Sequence, residues 1–145
     1  MAYSQSHGRG GYGEKKPWKL YCNLVTLKGN HMLSSGRCWM IQDRDGNLIY
    51  LTVERWQHIV EANNHPEMAD YEDHLKRTIQ SERRRQEPLN PRKYRYVQLF
   101  DDLPAGLNHV VGIVLFGFDV NAQGEMVPNN FIATAFLKHM HPRGG

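Results

Sequence analysis

Residues 94–138 read YRYVQLFDDLPAGLNHVVGIVLFGFDVNAQGEMVPNNFIATAFLK, and their period of two decides the fold. Side chains alternate across a strand, so a run of apolar residues on both parities marks a strand covered on both faces. His109 to Asp119 is such a run, with Val111, Ile113 and Leu115 on one parity and Val110, Val114, Phe116 and Phe118 on the other. Tyr94 to Phe100 precedes it and Phe131 to Lys138 follows. The breaks between them carry turn residues, Pro104 and Gly106 in the first and Gly124 in the second. Three strands joined by short turns predict an antiparallel β-meander.

Upstream the period changes. Val53, Trp56 and Val60 fall within about 60° of one another at 100° per residue, which predicts a helix with a buried stripe. Thr52 stands where an N-cap belongs, and Glu54 puts a carboxylate in the first turn, where the helix dipole favours it. Pro66 disfavours helix at His65, so this helix is expected to stop near Asn63 to Pro66. A second helix is predicted from about Ala69 to Arg84, with Tyr71, Leu75, Thr78, Ile79 and Glu82 on one face. Before both, Cys38–Gln42 and Leu48–Leu51 flank Asp43-Arg44-Asp45-Gly46-Asn47, and Asp-Gly between apolar runs is a hairpin signal. The order predicts an α+β domain: an N-terminal hairpin and two helices packed on an antiparallel β-meander.

The ends differ in composition. Residues 1–16 are polar and glycine-rich and offer no apolar pattern, so they read as a disordered arm. Lys19 to Leu27 alternates weakly and reads as a strand. Residues 17–140 are expected to form a single domain, with 141–145 a loose C-terminus. No run reaches the ~20 apolar residues of a membrane span, and no apolar leader is visible. Two cysteines, Cys22 and Cys38, in such a chain favour reduced thiols and a cytoplasmic location.

Charge is distributed unevenly. Glu54 to Asp73 holds six acids against Arg55, whereas Lys76 to Arg95 holds eight bases against Glu82 and Glu87. The whole chain carries only +3, so its positive potential is concentrated in one stretch, and such a stretch attracts polyanions. A solvated loop between helix and strand is the plain alternative. Lys93 and Arg95 share a strand face with Val97 and Leu99, while Tyr94 and Tyr96 take the other. Bases interleaved with aromatics form a nucleic-acid footprint through phosphate pairing and stacking, although tyrosines in strands also serve as half-buried packing. Arg83, Arg84, Arg85, Arg92, Tyr96 and Lys138 are the candidate RNA-binding residues. Thr134 shares the parity of Ile132, Phe136 and Lys138, and threonine in a strand needs no function to explain it.

His58 and His65, seven apart, fall on one side of a continued first helix together with Glu54 and Glu61. That ridge lies away from the apolar stripe and is equally readable as a solvated face. On a straight helix the imidazoles are about 10 Å apart, too far for one ion. Cys22, His31 and Cys38 have irregular spacing for zinc. Neither set predicts a metal site, and no phosphate-binding loop or dinucleotide fingerprint predicts a cofactor.

Trp56-Gln57-His58-Ile59 followed by His65-Pro66-Glu67-Met68, with Thr78-Ile79 in the second helix and Thr134-Ala135-Phe136 in the last strand, resembles the ribonuclease superfamily of barnase, EndoU, colicin and RelE-type nucleases. Its phage-associated branch is the most similar. The resemblance spans about residues 38–138. It implies a metal-independent, toxin-like endoribonuclease that cleaves RNA by attack of a ribose 2′-hydroxyl. His58 would be the base or acid, Lys93 or Arg95 would stabilise the phosphorane, and Thr134 would hold a phosphate oxygen or orient the histidine. An antitoxin or immunity protein would be a natural partner. Two departures stand out: Arg55 lies about 60° round the wheel from His58, where the family pattern often has a nearer base, and Arg83-Arg84-Arg85 has no counterpart. A non-catalytic binding module on the same fold, or a phage-related assembly protein whose acidic helix meets the basic stretch of another copy, are the alternatives.

Overall fold

The structure, a computed structural model, describes residues 36–141. The expected arm over 1–16 and the expected strand at Lys19–Leu27 lie outside the described residues, as do all but the first residue of the expected loose C-terminus. The elements run β1 (Arg37–Gln42), β2 (Leu48–Thr52), α1 (Val53–Val60), a 3₁₀ helix (Pro66–Asp70), α2 (Glu72–Ser81), β3 (Arg85–Glu87), β4 (Asn90–Leu99), β5 (His109–Leu115), β6 (Phe118–Val120), β7 (Met126–Pro128) and β8 (Asn130–Lys138). Among the described residues six strands form one sheet in the order β1-β2-β8-β5-β4-β3, and β6 pairs only with β7. This is an α+β fold with a mostly antiparallel sheet.

The β1–β2 hairpin turns where Asp-Gly predicts it. Gly46 takes φ 87°, a left-handed conformation suited to glycine. The Asp43 carboxylate accepts the backbone N–H groups of Asp45 and Asn47, each at 2.9 Å, which closes the turn from inside. β2 then joins β8 in parallel through Ile49–Asn130 and Tyr50–Phe131. Asn130, buried in that seam, donates from Nδ2 to the Leu48 carbonyl at 3.0 Å. The hairpin therefore extends the meander into one continuous sheet.

α1 starts on its predicted cap: the Thr52 hydroxyl accepts the Arg55 N–H at 3.0 Å. It ends at Val60, earlier than the proline predicts. Glu61 turns to extended backbone, and the Asn64 side chain donates to the His58 carbonyl at 2.9 Å. That side chain satisfies a terminal carbonyl, as helix ends require. The predicted second helix is divided at Tyr71 into the 3₁₀ helix and α2. Its stripe is as expected, with Leu75, Thr78 and Ile79 buried.

α2 lies on one face of the sheet. Gly112 in β5 makes that approach close: a Cβ there would stand 3.0 Å from Leu75 Cδ1 and 3.1 Å from Ile79 Cδ1. Around it the core gathers Trp39, Ile49, Leu51, Ile59, Met68, Tyr96, Val110, Val114, Ile132 and Ala135.

Four expectations are corrected. The central strand stops at Leu115, and Phe118–Val120 leaves the sheet to form the β6–β7 hairpin. The basic connector contains a strand, β3, which makes a hairpin with β4. In β8 the register slips between Ile132 and Thr134, and a bulge of this kind exchanges the two faces. Ile132 consequently points to the α2 side, while Thr134 and Phe136 point away from it. Finally, Cys38 is disulfide-bonded, so a reduced thiol is not present there.

Candidate functional site

The strand register lays out the face opposite α2. Arg85 pairs with Arg95, Arg95 with Ile113, and Ile113 with Thr134. Directly paired residues point to the same side, so these four form one row across β3, β4, β5 and β8. Neighbouring strands lie about 4.8 Å apart, which separates the Arg95 and Thr134 backbones by about 10 Å. Ile113 is buried between them as a floor. A second row, Lys93–Leu115–Phe131, runs alongside. Among the cations of this face, Arg95 is held by Glu87, Nε to Oε2 at 3.0 Å, which fixes where its guanidinium stands.

The other margin of this face carries imidazoles. β2 pairs with only the start of β8, and the chain then continues as α1, which packs beside the rest of β8. His58 shares a pocket with Tyr50 and Phe131. Its side chain is 55% exposed, with Nδ1 3.6 Å from Glu61 Oε1. His65 packs on Phe136 with ring centroids 5.3 Å apart, and its Nδ1 stands 3.7 Å from Glu67 Oε2. Because α1 ends at Val60, His58 and His65 do not form the helical ridge that their spacing suggests. They meet β8 at Phe131 and Phe136 instead, on either side of Thr134.

His65 is not among the site residues that the sequence suggests. The histidine-proline step that follows the helix is the signal that could mark it, because it forces the chain back toward the sheet.

The expected RNA-binding residues do not form one patch. Arg83 and Arg85 are exposed, and Arg85 belongs to the row above. Arg84 lies over the rings of Tyr94 and Phe116, at 4.3 and 4.6 Å to their centroids, on the α2 side. Arg92 donates from Nε to the Phe116 carbonyl at 2.9 Å. Lys138 is exposed at the far end of β8, in register with His109. Tyr96 is fully buried, and its hydroxyl donates to Asp43 Oδ2 at 2.6 Å. Its ring therefore has no face to offer a base. Burial pushes the Tyr96 hydroxyl well above the usual phenol range, and the Asp43 hydrogen bond and charge add to this.

The pocket beside His58 measures about 440 Å³ and is lined by Tyr50, Thr52, Glu54, Arg55, His58 and Phe131. Arg37 lies 4.1 Å over the Tyr50 ring, and the Tyr50 hydroxyl donates to Asn129 Oδ1 at 2.6 Å. A third histidine–carboxylate pair, His74 Nε2 to Asp102 Oδ2 at 2.9 Å, ties α2 to the β4–β5 loop. Its ring sits edge-on to Tyr71 and Phe100, in the packing between helix and loop. Among the described residues no group of three or more His, Cys, Asp or Glu is placed to hold a metal ion, and no helix is long and apolar enough to cross a membrane.

No protein-family model, no curated protein and no solved structure matches the chain.

Proposed function

We propose that this domain is a ribonuclease of the 2′-hydroxyl transesterification type. The observation that carries the reading is the arrangement of the open sheet face: imidazoles of His58 and His65 along one margin, cations of Lys93, Arg95 and Arg85 along the other, and Thr134 between them. RNA strand scission needs these groups and no more. A base removes the 2′-hydroxyl proton, the freed oxygen forms a bond to phosphorus, and the bond from phosphorus to the 5′-oxygen breaks. An acid returns a proton to that leaving oxygen.

In this reading His58 is the base and His65 the acid. Arg95, held in place by Glu87, offsets the charge that accumulates on the phosphorane oxygens, and fixed charges of this kind are a large part of such catalysis. Thr134 donates its hydroxyl to a phosphate oxygen. The products are a 2′,3′-cyclic phosphate and a free 5′-hydroxyl.

The test is incubation of the purified protein with total RNA in EDTA, with His58→Ala as control. Cleavage that continues in EDTA, leaves cyclic phosphate ends and disappears in the variant supports the reading. Activity that needs an added metal, or that survives the substitution, rejects it. The exposure of His58, held only by a 3.6 Å approach to Glu61, favours a second reading: a non-catalytic RNA-binding module on the same face. RNA affinity without turnover distinguishes it.

A further inference from the structure

Among the described residues β6 and β7 pair only with each other, and a two-stranded hairpin is marginal on its own. Its register sorts its side chains. Phe118 pairs with Pro128 and Val120 with Met126, so these four share one side. That side is apolar and open: Phe118 and Val120 are 65% exposed and Met126 66%. The other side is polar. Asp119 Oδ2 accepts from Asn129 Nδ2 at 3.0 Å, and Asn129 Oδ1 accepts the Tyr50 hydroxyl at 2.6 Å. Glu125, of opposite parity to Met126, accepts from Asn121 Nδ2 at 2.9 Å. The hairpin is therefore amphipathic. Its carboxylates lie on the side bonded back to Tyr50, and its apolar side is turned away.

A second apolar point stands beside it. The β3–β4 turn consists of Pro88 and Leu89, and Leu89 is 97% exposed. Proline suits the first turn position, whereas leucine in the second answers no turn preference, and at this exposure it serves no packing. Arg92, three residues on, brings this turn to the base of the β6–β7 hairpin. Its carbonyl accepts the Phe116 N–H at 2.8 Å, and a Cβ on Gly117 would lie 2.7 Å from its Nη2. Arg84 stands close by, 4.6 Å from the centroid of the Phe116 ring. Glu87, at the end of β3, is already held by Arg95.

We infer that this end of the molecule binds the surface of an anionic lipid bilayer. Three-residue strands reach about 10 Å, and an interfacial element seats its apolar side about 5–10 Å into the boundary between headgroups and acyl chains. Phe118, Val120, Met126 and Leu89 enter that layer. Arg84 and Arg92, at the base, then stand level with the lipid phosphates, which guanidinium groups pair with well. Both turns project, so a partner of fixed shape would need two matching hollows, whereas a fluid surface needs none. Such a contact uses no membrane-spanning helix. It does not rest on the ribonuclease reading, and it leaves the sheet face beside His58 free for RNA.

The experiment is co-sedimentation of the full chain with vesicles of phosphatidylcholine alone, and of phosphatidylcholine with an equal part of phosphatidylglycerol. It compares the parent with Phe118→Ser and Leu89→Ser. The parent should partition onto the mixed vesicles and much less onto phosphatidylcholine. Each substitution should lower that partition about tenfold, the effect of burying one large apolar side chain. The melting midpoint should not change, because both positions are exposed. Absence of partition onto the mixed vesicles overturns the inference, as does partition that both variants retain, which is attraction by charge alone. A parent dimer that both substitutions dissolve, without vesicle partition, assigns the apolar side to a second copy. RNA affinity lost in the same variants, without vesicle partition, assigns it to nucleic acid. Either result overturns the lipid contact.

Discussion

The Tyr96 hydroxyl, fully buried in β4, donates at 2.6 Å to the Asp43 carboxylate in the β1–β2 turn, fifty-three residues away. The same carboxylate closes its own turn through Asp45 and Asn47. One side chain thus fixes a local turn and ties it to the far half of the sheet. Tyr96→Phe should remove a hydrogen bond to a charged acceptor and cost about 1.5–3 kcal/mol. Urea unfolding at neutral pH measures this, with a lower midpoint and an unchanged slope. A loss below about 0.5 kcal/mol would show that the turn holds without the tyrosine.

The pH dependence follows from the same pair. Burial raises the Asp43 carboxyl, but hydrogen bonds from Tyr96, Asn47 and Asp45 outweigh it and leave the group below its ordinary 3.8. An acid depressed in the folded state contributes stability in full above its unfolded value and loses it as pH falls through the folded value. Melting temperature should therefore drop below about pH 4, and the drop should be shallower in Tyr96→Phe. At the alkaline end Tyr96 is raised above its ordinary 10.0, so its contribution is present below pH 10 and fades above it. Parallel melting curves for the two proteins at both ends of the range would contradict this.

The parts of the fold visible in the sequence are those set by neighbouring residues. The Asp-Gly turn, the Thr52 cap, the α2 stripe and the two-sided apolar run of β5 all depend on short-range chemistry. The parallel join of β2 to β8 rests on Asn130, whose partner at Leu48 is distant in sequence. β3 consists of Arg85, Gln86 and Glu87, with no apolar alternation to reveal it. The bulge before Thr134 is a matter of register, and it takes Ile132 off the face that Thr134 keeps with Phe136. Tyr96 shows the same limit from another side. Alternation correctly separates it from Lys93 and Arg95, but alternation alone does not tell which face a helix will cover.

Gly112 sets how closely α2 approaches the sheet. In Gly112→Ala the added methyl would press on Leu75 and Ile79 at 3.0 and 3.1 Å, inside ordinary contact distance. Overpacking of this kind costs about 1–3 kcal/mol. Thermal unfolding should show a fall of several degrees, and Leu75→Val should recover part of it in the double variant. Independent, additive effects would mean that the helix shifts without strain.

The basic stretch should divide by position. Arg83 and Arg85 are exposed, so Arg83→Gln with Arg85→Gln should flatten the plot of log affinity for single-stranded RNA against log salt. Each phosphate that is no longer neutralised changes that slope by about 0.7. Arg84 is occupied with the Tyr94 and Phe116 rings, so Arg84→Gln should act on stability more than on the slope. A slope change as large in Arg84→Gln as in the other pair would place its guanidinium on RNA instead.

The two histidines allow the strictest test. His58 is half exposed in a pocket beside Phe131, and His65 is packed on Phe136. If they are base and acid, either alanine variant should lower the rate of RNA cleavage by about 10²–10⁴, the usual worth of a positioned proton-transfer group. Their structural costs should differ. His58→Ala at an exposed helix position should stay within about 0.5 kcal/mol of the parent, while His65→Ala also gives up its packing on Phe136. An RNA whose 5′-leaving oxygen is replaced by sulfur separates the roles, because a thiolate departs without a proton. Cleavage of that substrate should recover in His65→Ala and stay low in His58→Ala. Recovery in His58→Ala would exchange the two assignments, and recovery in neither would remove acid catalysis from this pair.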